Sequence, residues 1–169
     1  TVVLAYHRQG SYDTDGTYAP EIFAARGERP VEVMITRSHD GGLTWERPYP
    51  LGLPTMETGS PYGKIVSLAD GTLLMALYGI LDPTLVGERG DRAALSDDVP
   101  APRVLCSYVL RSRDDGLTWG EPALLGVGYN ETGLWALPDG AVLAVLRGDV
   151  PNDSLLVSRS TDGGVTWSE

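Results

Sequence analysis

One eight-residue pattern occurs three times in this chain of 169 residues, and it constrains the fold more than any other feature. The copies begin at Ser38, Ser112 and Ser160, and each reads S-x-D-x-G-x-T-W. Five constant positions in eight do not recur three times by chance at ordinary amino-acid frequencies. The starts are 74 and 48 residues apart, so the repeated units differ in loop length. The pattern therefore predicts a repeat protein.

The octapeptide, called the box below, has the composition of a hairpin turn. An Asp side chain accepts hydrogen bonds from backbone N–H groups two residues on, and Gly adopts the positive φ that a tight turn needs. Thr and Trp favour strands, so the next strand is expected to open at the Trp. Each indole is expected to pack over its own turn. The residues predicted to be structural are Asp40, Asp114, Asp162, Trp45, Trp119 and Trp167.

A second repeated segment supplies the rest of the unit. Residues 68–77 and 137–146 each place an Asp-Gly pair between two apolar runs, which predicts a strand, a tight turn and a strand. Together with the box this makes a meander of four antiparallel strands, A to D. The chain is therefore predicted to be an all-β, partial β-propeller of about three four-stranded blades, at about 1–50, 60–125 and 130–169.

The connections of such a meander divide between its two ends. The A–B and C–D turns lie at one end, and the B–C and D–A connections lie at the other. Function is expected at the end with the variable loops. No helix longer than one or two turns is expected outside the second loop, because no apolar period of 3.6 residues is sustained. The long connections are predicted at 7–30, 80–102, 55–62 and 126–130.

Glu131 and Arg147 are predicted to face each other at that end. If Pro138-Asp139-Gly140 is a three-residue hairpin loop, residues whose numbers add to 278 are cross-strand partners, with Cβ atoms about 5 Å apart. The alternative interpretation is an ordinary cross-strand ion pair. The equivalent positions of the second unit are Tyr62 and Tyr78, so the repeat itself does not require the pair.

Charge and composition limit the partners. The formal net charge of −10 argues against nucleic acid and against an anionic membrane surface. No run of 18 apolar residues exists and no basic-then-apolar leader precedes Thr1, so no membrane-spanning segment and no signal peptide are expected in this chain. Cys106 stands in an apolar run and is expected to be a buried small hydrophobe. His7 and His39 lack metal-ligand spacing, so neither a metal nor a cofactor is predicted.

These motifs carry a family resemblance. The box resembles the Asp-box of the BNR repeat. With Asn130-Glu131, the run 137–140 and Arg147, the chain looks like an arc of a bacterial-type sialidase, an exo-α-neuraminidase. The resemblance implies a propeller with six blades when complete, a retaining release of terminal sialic acid, and a sialoside or other glycan as partner. It also implies a secreted or periplasmic protein.

The resemblance assigns roles residue by residue. It makes Glu131 the base partner of a tyrosine nucleophile and Arg147 one of three arginines that bind the substrate carboxylate. The general acid resembles an Asp on an early connection, either Asp13 or Asp15; the alternative for both is a solvated turn residue. Weaker alternatives for the acid are Asp82, Asp91, Asp97 and Asp98. No tyrosine stands in a matching motif, so this chain is expected to lack part of the site.

Two other functions stay open at this point. An Asp-box propeller without catalytic activity could bind a glycan or a protein, and a propeller hydrolase could act on another glycan, since no residue reports the sugar directly. In either case an open arc exposes strand edges and the apolar faces that neighbouring blades would cover. Self-association of the isolated chain is therefore expected.

Overall fold

A computed structural model describes residues 1–9, 15–16, 31–52, 56–81, 104–148 and 155–168. Within these ranges all regular structure is β-strand, and there is accordingly no helix long and apolar enough to cross a membrane. The predicted all-β class is confirmed. The predicted insertion at 80–102 lies outside the described residues from residue 82 onward.

The strands form three antiparallel sheets. Sheet 1 contains β1 (Val2–Gln9), β2 (Val31–Ser38) and β3 (Tyr49–Pro50). Sheet 2 contains β4 (Met56–Pro61), β5 (Val66–Ser67), β6 (Leu73–Leu81), β7 (Val104–Ser112) and β8 (Gly120–Val127). Sheet 3 contains β9 (Tyr129–Ala136), β10 (Val142–Gly148) and β11 (Leu155–Ser160). The predicted blade limits themselves stay a prediction.

The Asp-Gly hairpins have the predicted register. The Leu137 N–H donates to the Ala141 carbonyl at 2.7 Å, and the Gly140 N–H donates to the Leu137 carbonyl at 3.0 Å. Gly140 has φ 85°, the left-handed conformation that favours glycine at this place. Residues 68–72 repeat the same two bonds. The pairs Val142 with Ala136 and Leu146 with Thr132 follow the predicted numbering.

Three predicted loops are partly strand. Residues 7–9 belong to β1, because they continue its pairing as far as Val31 on β2. The predicted connection at 126–130 shrinks to Gly128, which lies between β8 and β9 with φ 77° and donates its N–H to the Leu105 carbonyl at 2.9 Å. The region 55–62 is likewise mostly the strand β4. Long-range strand pairing, rather than local composition, sets these boundaries.

Each box is a compact hydrogen-bonded turn, as predicted. The Asp114 carboxylate accepts the Thr118 N–H at 2.9 Å and its hydroxyl at 2.6 Å, and the Ser112 hydroxyl donates to it at 2.8 Å. The Thr118 hydroxyl bond is the largest cause of an Asp114 pKa of about 2. Trp119 donates its indole N–H to Gly116 of the same turn at 3.1 Å. The other boxes repeat these bonds, which is the arrangement that a structural role for the box residues requires.

The strands after the first two boxes do not begin at the Trp, contrary to expectation. Trp45 and Trp119 are still part of the turn, and the following strands begin at Tyr49 and Gly120. The reason is the indole itself, since its bond back to the box glycine holds it against the turn. Residues 46–48 therefore separate Trp45 from β3, and the Glu46 N–H already donates to the Arg37 carbonyl of β2 at 2.8 Å.

Two apolar layers hold the sheets together. Sheets 1 and 2 meet through Val33 and Ile35, which pack among residues of β6 and β7 and against Trp119. Sheets 2 and 3 meet in a layer that includes Leu74 and Val109 from sheet 2 and the following residues of sheet 3: Leu134, Val142, Ala144, Leu146 and Trp167. Cys106 lies fully buried in the first layer, where burial raises its thiol pKa to about 11.

Asp115 is the strained residue of the second box. It has φ 55°, whereas the other boxes have glycine at this position, Gly41 and Gly163 with φ 75° and 73°. We expect Asp115→Gly to raise the free energy of unfolding by about 0.5–1 kcal/mol. Glycine relieves the strain of the left-handed backbone conformation, and this gain exceeds the loss from the extra conformational entropy that glycine gives the unfolded chain. Urea unfolding measures the change, and Gly41→Asp, which adds a side chain in open space, should lower stability. A destabilised Asp115→Gly would contradict the strain argument.

Candidate functional site

Glu131 and Arg147 form the contact that the hairpin numbering predicts. Arg147 Nη1 donates to Glu131 Oε2 at 2.9 Å. The Arg147 side chain is 60% exposed and that of Glu131 is 32% exposed. The guanidinium has five N–H donors, and this bond occupies one of them. The pair is thus a solvent-accessible cation held beside a carboxylate.

The pair lies at the end of sheet 3 that is remote from the box. Val142 of β10 pairs with Ser160, the first residue of the third box. Arg147 is five residues further along the strand, a distance of about 17 Å at 3.4 Å per residue. The pairing of β9 with β10 shifts register between Leu146 and Gly148, where two residues of β9, Asn130 and Glu131, stand opposite the single Arg147, so β9 bulges at the pair. Bulges are frequent beside active sites because they redirect a side chain.

A network of buried polar side chains flanks Glu131. Asn130 is 9% exposed, and its side-chain oxygen accepts the Glu131 N–H at 2.6 Å. The Thr132 hydroxyl donates to the Asn130 carbonyl at 3.0 Å and lies 2.5 Å from the hydroxyl of Ser107 on β7. Both hydroxyl side chains are almost fully buried. The backbone after Glu131 is therefore anchored to sheet 2 through Thr132, and the local bonds of Asn130 hold the residues on either side of Glu131 together, which limits how far its carboxylate can move.

The strand alternation decides which face carries the pair. On β9, Asn130, Thr132 and Leu134 are buried toward sheet 2. Glu131 and Trp135 lie on the opposite face, and Trp135 is 58% exposed with the Lys64 ammonium 3.4 Å from its ring centroid. Glu131 and Arg147 consequently belong to the face of sheet 3 that is turned away from sheet 2. Their placement in a central channel stays a prediction.

The two acid candidates have different outcomes. Asp15 lies in an exposed turn with Gly16, whose φ is 83°. Within the part of the chain that the structure describes, Glu131 bonds to Asn130 and Arg147 bonds to Glu131. Asp13 lies outside the described residues, as do the weaker candidates Asp82, Asp91, Asp97 and Asp98. The assignment of a general acid therefore stays a prediction.

Sequence reasoning missed an arginine that precedes every box. Arg37, Arg111 and Arg159 occupy the position before the box serine, so the repeat extends to R-S-x-D-x-G-x-T-W. Arg111 is 5% exposed at its side chain and donates to the Glu121 carbonyl at 2.7 Å and to the carbonyl of Gly164 in the third box. Burial lowers its pKa. The arginine could have been found from the sequence alone, because it stands one residue before the serine of each box.

The comparisons with known proteins concern the box and the fold. Residues 158–169 match the model of the BNR/Asp-box repeat family. The chain therefore contains a BNR repeat, and its fold is of the sialidase type. The other two boxes of the BNR chain carry the same pattern as the matched one. No curated protein sequence matches the chain.

Three solved structures show the fold of this BNR chain. A Hadza microbial sialidase, Hz136, is 24% identical with a TM-score of 0.59, over 83% of this chain and 24% of that one. The leech intramolecular trans-sialidase, solved with 2,7-anhydro-Neu5Ac, is 18% identical with a TM-score of 0.58, over 83% and 19%. The NanB sialidase of Streptococcus pneumoniae is 20% identical, also with a TM-score of 0.58, over 83% and 19%. The chain thus spans about a fifth to a quarter of these proteins and corresponds to part of a propeller.

Proposed function

We propose that the protein containing this BNR chain is a sialidase-like glycoside hydrolase, which releases terminal sialic acid from glycoconjugates by a retaining mechanism. The observation that carries the proposal is the Glu131–Arg147 pair, 2.9 Å apart, solvent-accessible and remote from the box. The fold that the chain shares with three sialidases supports it. The nucleophilic tyrosine and two further arginines come, in this proposal, from the rest of the protein.

Arg147 is proposed to bind the substrate carboxylate. Sialic acid carries a carboxylate next to its reacting carbon, and a planar guanidinium binds such a group through two parallel hydrogen bonds. The exposed side chain of Arg147 has donors beyond the one that Glu131 accepts. The bond to Glu131 orients the guanidinium before substrate arrives. This lowers the entropy cost of binding.

Glu131 is proposed to be the base for a tyrosine nucleophile. A phenol is a weak nucleophile at neutral pH, and sialidases are the glycosidases that use one in place of a carboxylate. In the first step the tyrosine oxygen bonds to the anomeric carbon, Glu131 takes the phenol proton, and the leaving oxygen receives a proton from an acid, Asp13 or Asp15. The bond from the anomeric carbon to the leaving oxygen breaks in this step. Water then attacks the anomeric carbon from the face that the leaving group vacated and gives a proton to the same Asp, while the bond to the tyrosine oxygen breaks and Glu131 returns its proton to that oxygen.

The second candidate is a propeller without catalytic activity that binds a glycan or a protein. The observation in its favour is that Glu131 and Arg147 satisfy each other at 2.9 Å, as an ordinary cross-strand ion pair does. In that case the pair contributes at most about 1 kcal/mol to stability and nothing to chemistry.

Hydrolysis of a fluorogenic sialoside by the full-length gene product tests the proposal. We expect hydrolysis of the sialoside and none of a galactoside with the same leaving group. Arg147→Lys should raise KM by about tenfold or more, because an ammonium offers no planar fork for the carboxylate. Arg113→Lys is the matched control, since Arg113 is also 60% exposed and paired with a glutamate, Glu121 at 3.1 Å. Hydrolysis of neither glycoside would favour the binding protein, and hydrolysis of the galactoside alone would indicate a different glycan.

A further inference from the structure

The strand β9 bulges at the Glu131–Arg147 pair, whereas sheet 2 is regular at the equivalent place. Tyr78 is the counterpart of Arg147, since each lies five residues beyond the strand residue that pairs with its box serine. Tyr78 pairs with the single residue Ser60, and the pairing on both sides of it is regular. On sheet 3 two residues, Asn130 and Glu131, stand opposite Arg147. The bulge is therefore a local addition to sheet 3 and not a property of the repeat.

The polar groups of the bulged peptide are bonded by side chains. A bulge disrupts the ladder locally, and a backbone N–H or C=O that leaves the ladder needs another partner. The Glu131 N–H donates to the side-chain oxygen of Asn130 at 2.6 Å. The Asn130 carbonyl accepts the Thr132 hydroxyl at 3.0 Å. These are the two ends of one peptide group, the one that joins Asn130 to Glu131, so its orientation is fixed from both ends.

The hydroxyl groups beside the bulge bond in one direction only. The Thr132 hydroxyl has a single hydrogen, which it donates to the Asn130 carbonyl. The hydroxyl of Ser107 on β7, 2.5 Å away, must therefore donate to the Thr132 oxygen. Ser107 and Thr132 are 0% and 1% exposed, so water does not compete for these bonds. A satisfied buried network of this kind holds its side chains rigidly, and it ties the bulge to sheet 2.

We propose that Asn130, Thr132 and Ser107 are positioning residues for Glu131, which they aim by fixing the bulged peptide. This inference rests on the proposed function, in which Glu131 is the base for a tyrosine. A base must come within about 3 Å of the proton that it takes. A displacement of about 1 Å can cost on the order of 10² in rate. The orientation of the peptide before Glu131 sets the direction of its Cβ, and hence the place of its carboxylate.

Thr132→Val in the full-length gene product is the decisive variant. Valine keeps the shape of threonine but has no hydroxyl, so the Asn130 carbonyl and the Ser107 hydroxyl lose their partner. We expect kcat on a fluorogenic sialoside to fall about 10–100-fold. KM should change less than about threefold, because Arg147 is untouched and only the base is displaced. Thr132→Ser keeps the hydroxyl and should recover most of the lost kcat.

A second variant approaches the same peptide from its other end. Asn130→Leu has a similar size but offers no acceptor to the Glu131 N–H, so it should lower kcat about as much as Thr132→Val. Hydrogen–deuterium exchange of residues 129–133 reports the bulge without reference to activity. Exchange should become faster in both variants and stay slow in Thr132→Ser. Ser107→Ala removes only the tie to sheet 2 and should have a smaller effect on kcat.

Thr36→Val is the matched control. Thr36 is 5% exposed, and its hydroxyl donates to the Glu46 carbonyl at 2.8 Å, next to the first box. The variant therefore loses a buried hydroxyl bond of the same kind at a place remote from Glu131. We expect it to lower the melting temperature by an amount similar to that of Thr132→Val and to leave kcat and KM unchanged. Rates are compared well below the melting temperatures, so that every protein is folded.

The outcomes separate this inference from the proposed function. An active wild type together with an unchanged kcat in Thr132→Val would overturn the positioning role and leave the sialidase proposal standing. A loss of kcat that Thr132→Ser fails to recover would also overturn it, because the hydroxyl would then not be the group that matters. A wild type that hydrolyses no sialoside would overturn the proposed function, and the positioning role with it.

Discussion

Replacing Glu131 with Gln in the full-length gene product is expected to lower the turnover of a sialoside by a factor on the order of 10²–10⁴, the usual worth of a positioned base. The amide has almost the same shape, and its carbonyl oxygen still accepts the bond that Arg147 Nη1 donates at 2.9 Å. The amide cannot accept the phenol proton. Substrate binding should therefore change little, and the loss should appear in kcat rather than in KM.

Glu121→Gln is the matched control for that experiment. Glu121 also pairs with an exposed arginine, Arg113 at 3.1 Å, but it lies immediately beyond the second box at the other end of the strands. Its substitution should leave kcat and KM unchanged. Full activity in Glu131→Gln would show that Glu131 only holds Arg147.

Asp114→Ala should reduce the folded fraction and leave the kcat of the remaining folded protein unaltered, because its bonds are internal to the box.

Replacing Arg111 with Met is expected to lower the free energy of unfolding by about 3 kcal/mol, the typical cost of removing one partner from a buried charge-assisted contact. Met fills much of the space of the arginine stem but donates no hydrogen bond. The carbonyl of Glu121 and the glycine carbonyls of the third box would then lose their donor in a place that is almost closed to water. Urea unfolding of the two proteins measures the difference.

Arg159→Met separates the docking role of Arg111 from a general effect of arginine. Arg159 occupies the same repeat position, but it is 43% exposed and bonds to Asp139, which is itself 57% exposed. An exposed pair of this kind contributes less than about 1 kcal/mol. Arg159→Met should therefore lose far less stability than Arg111→Met. Equal losses would mean that contact with the third box is not what makes Arg111 important.

The features that the sequence predicted well are local ones. The box is closed by its own residues, with Ser112, Asp114 and Thr118 within seven positions of one another, so composition suffices to anticipate it. The Asp-Gly hairpin is equally local, and a three-residue loop sets the cross-strand numbering. That numbering led from Gly140 to the Glu131–Arg147 contact without any knowledge of the rest of the fold.

The features that it missed depend on distant partners. Residues 7–9 look like the start of a polar loop, yet they are strand because β2 lies alongside them. Gly128 replaces a predicted connection because its N–H reaches a carbonyl on β7. Thr132 gives no hint by itself that its hydroxyl meets Ser107, which lies 25 residues earlier in the chain. The end of a strand, or a hydrogen bond of this kind, depends on pairing with a segment that is distant in the sequence. The local sequence does not contain that information.

The three boxes separate the two contributions most clearly. Sequence alone determined that each forms a turn with its Trp folded back onto a glycine, and all three do so at 3.0 or 3.1 Å. Only the tertiary structure decided that Trp119 and Trp167 are 9% and 6% exposed while Trp45 is 42% exposed. The bonds within a turn are the same wherever it occurs. Burial requires a neighbouring sheet, and among the described residues the first box has none.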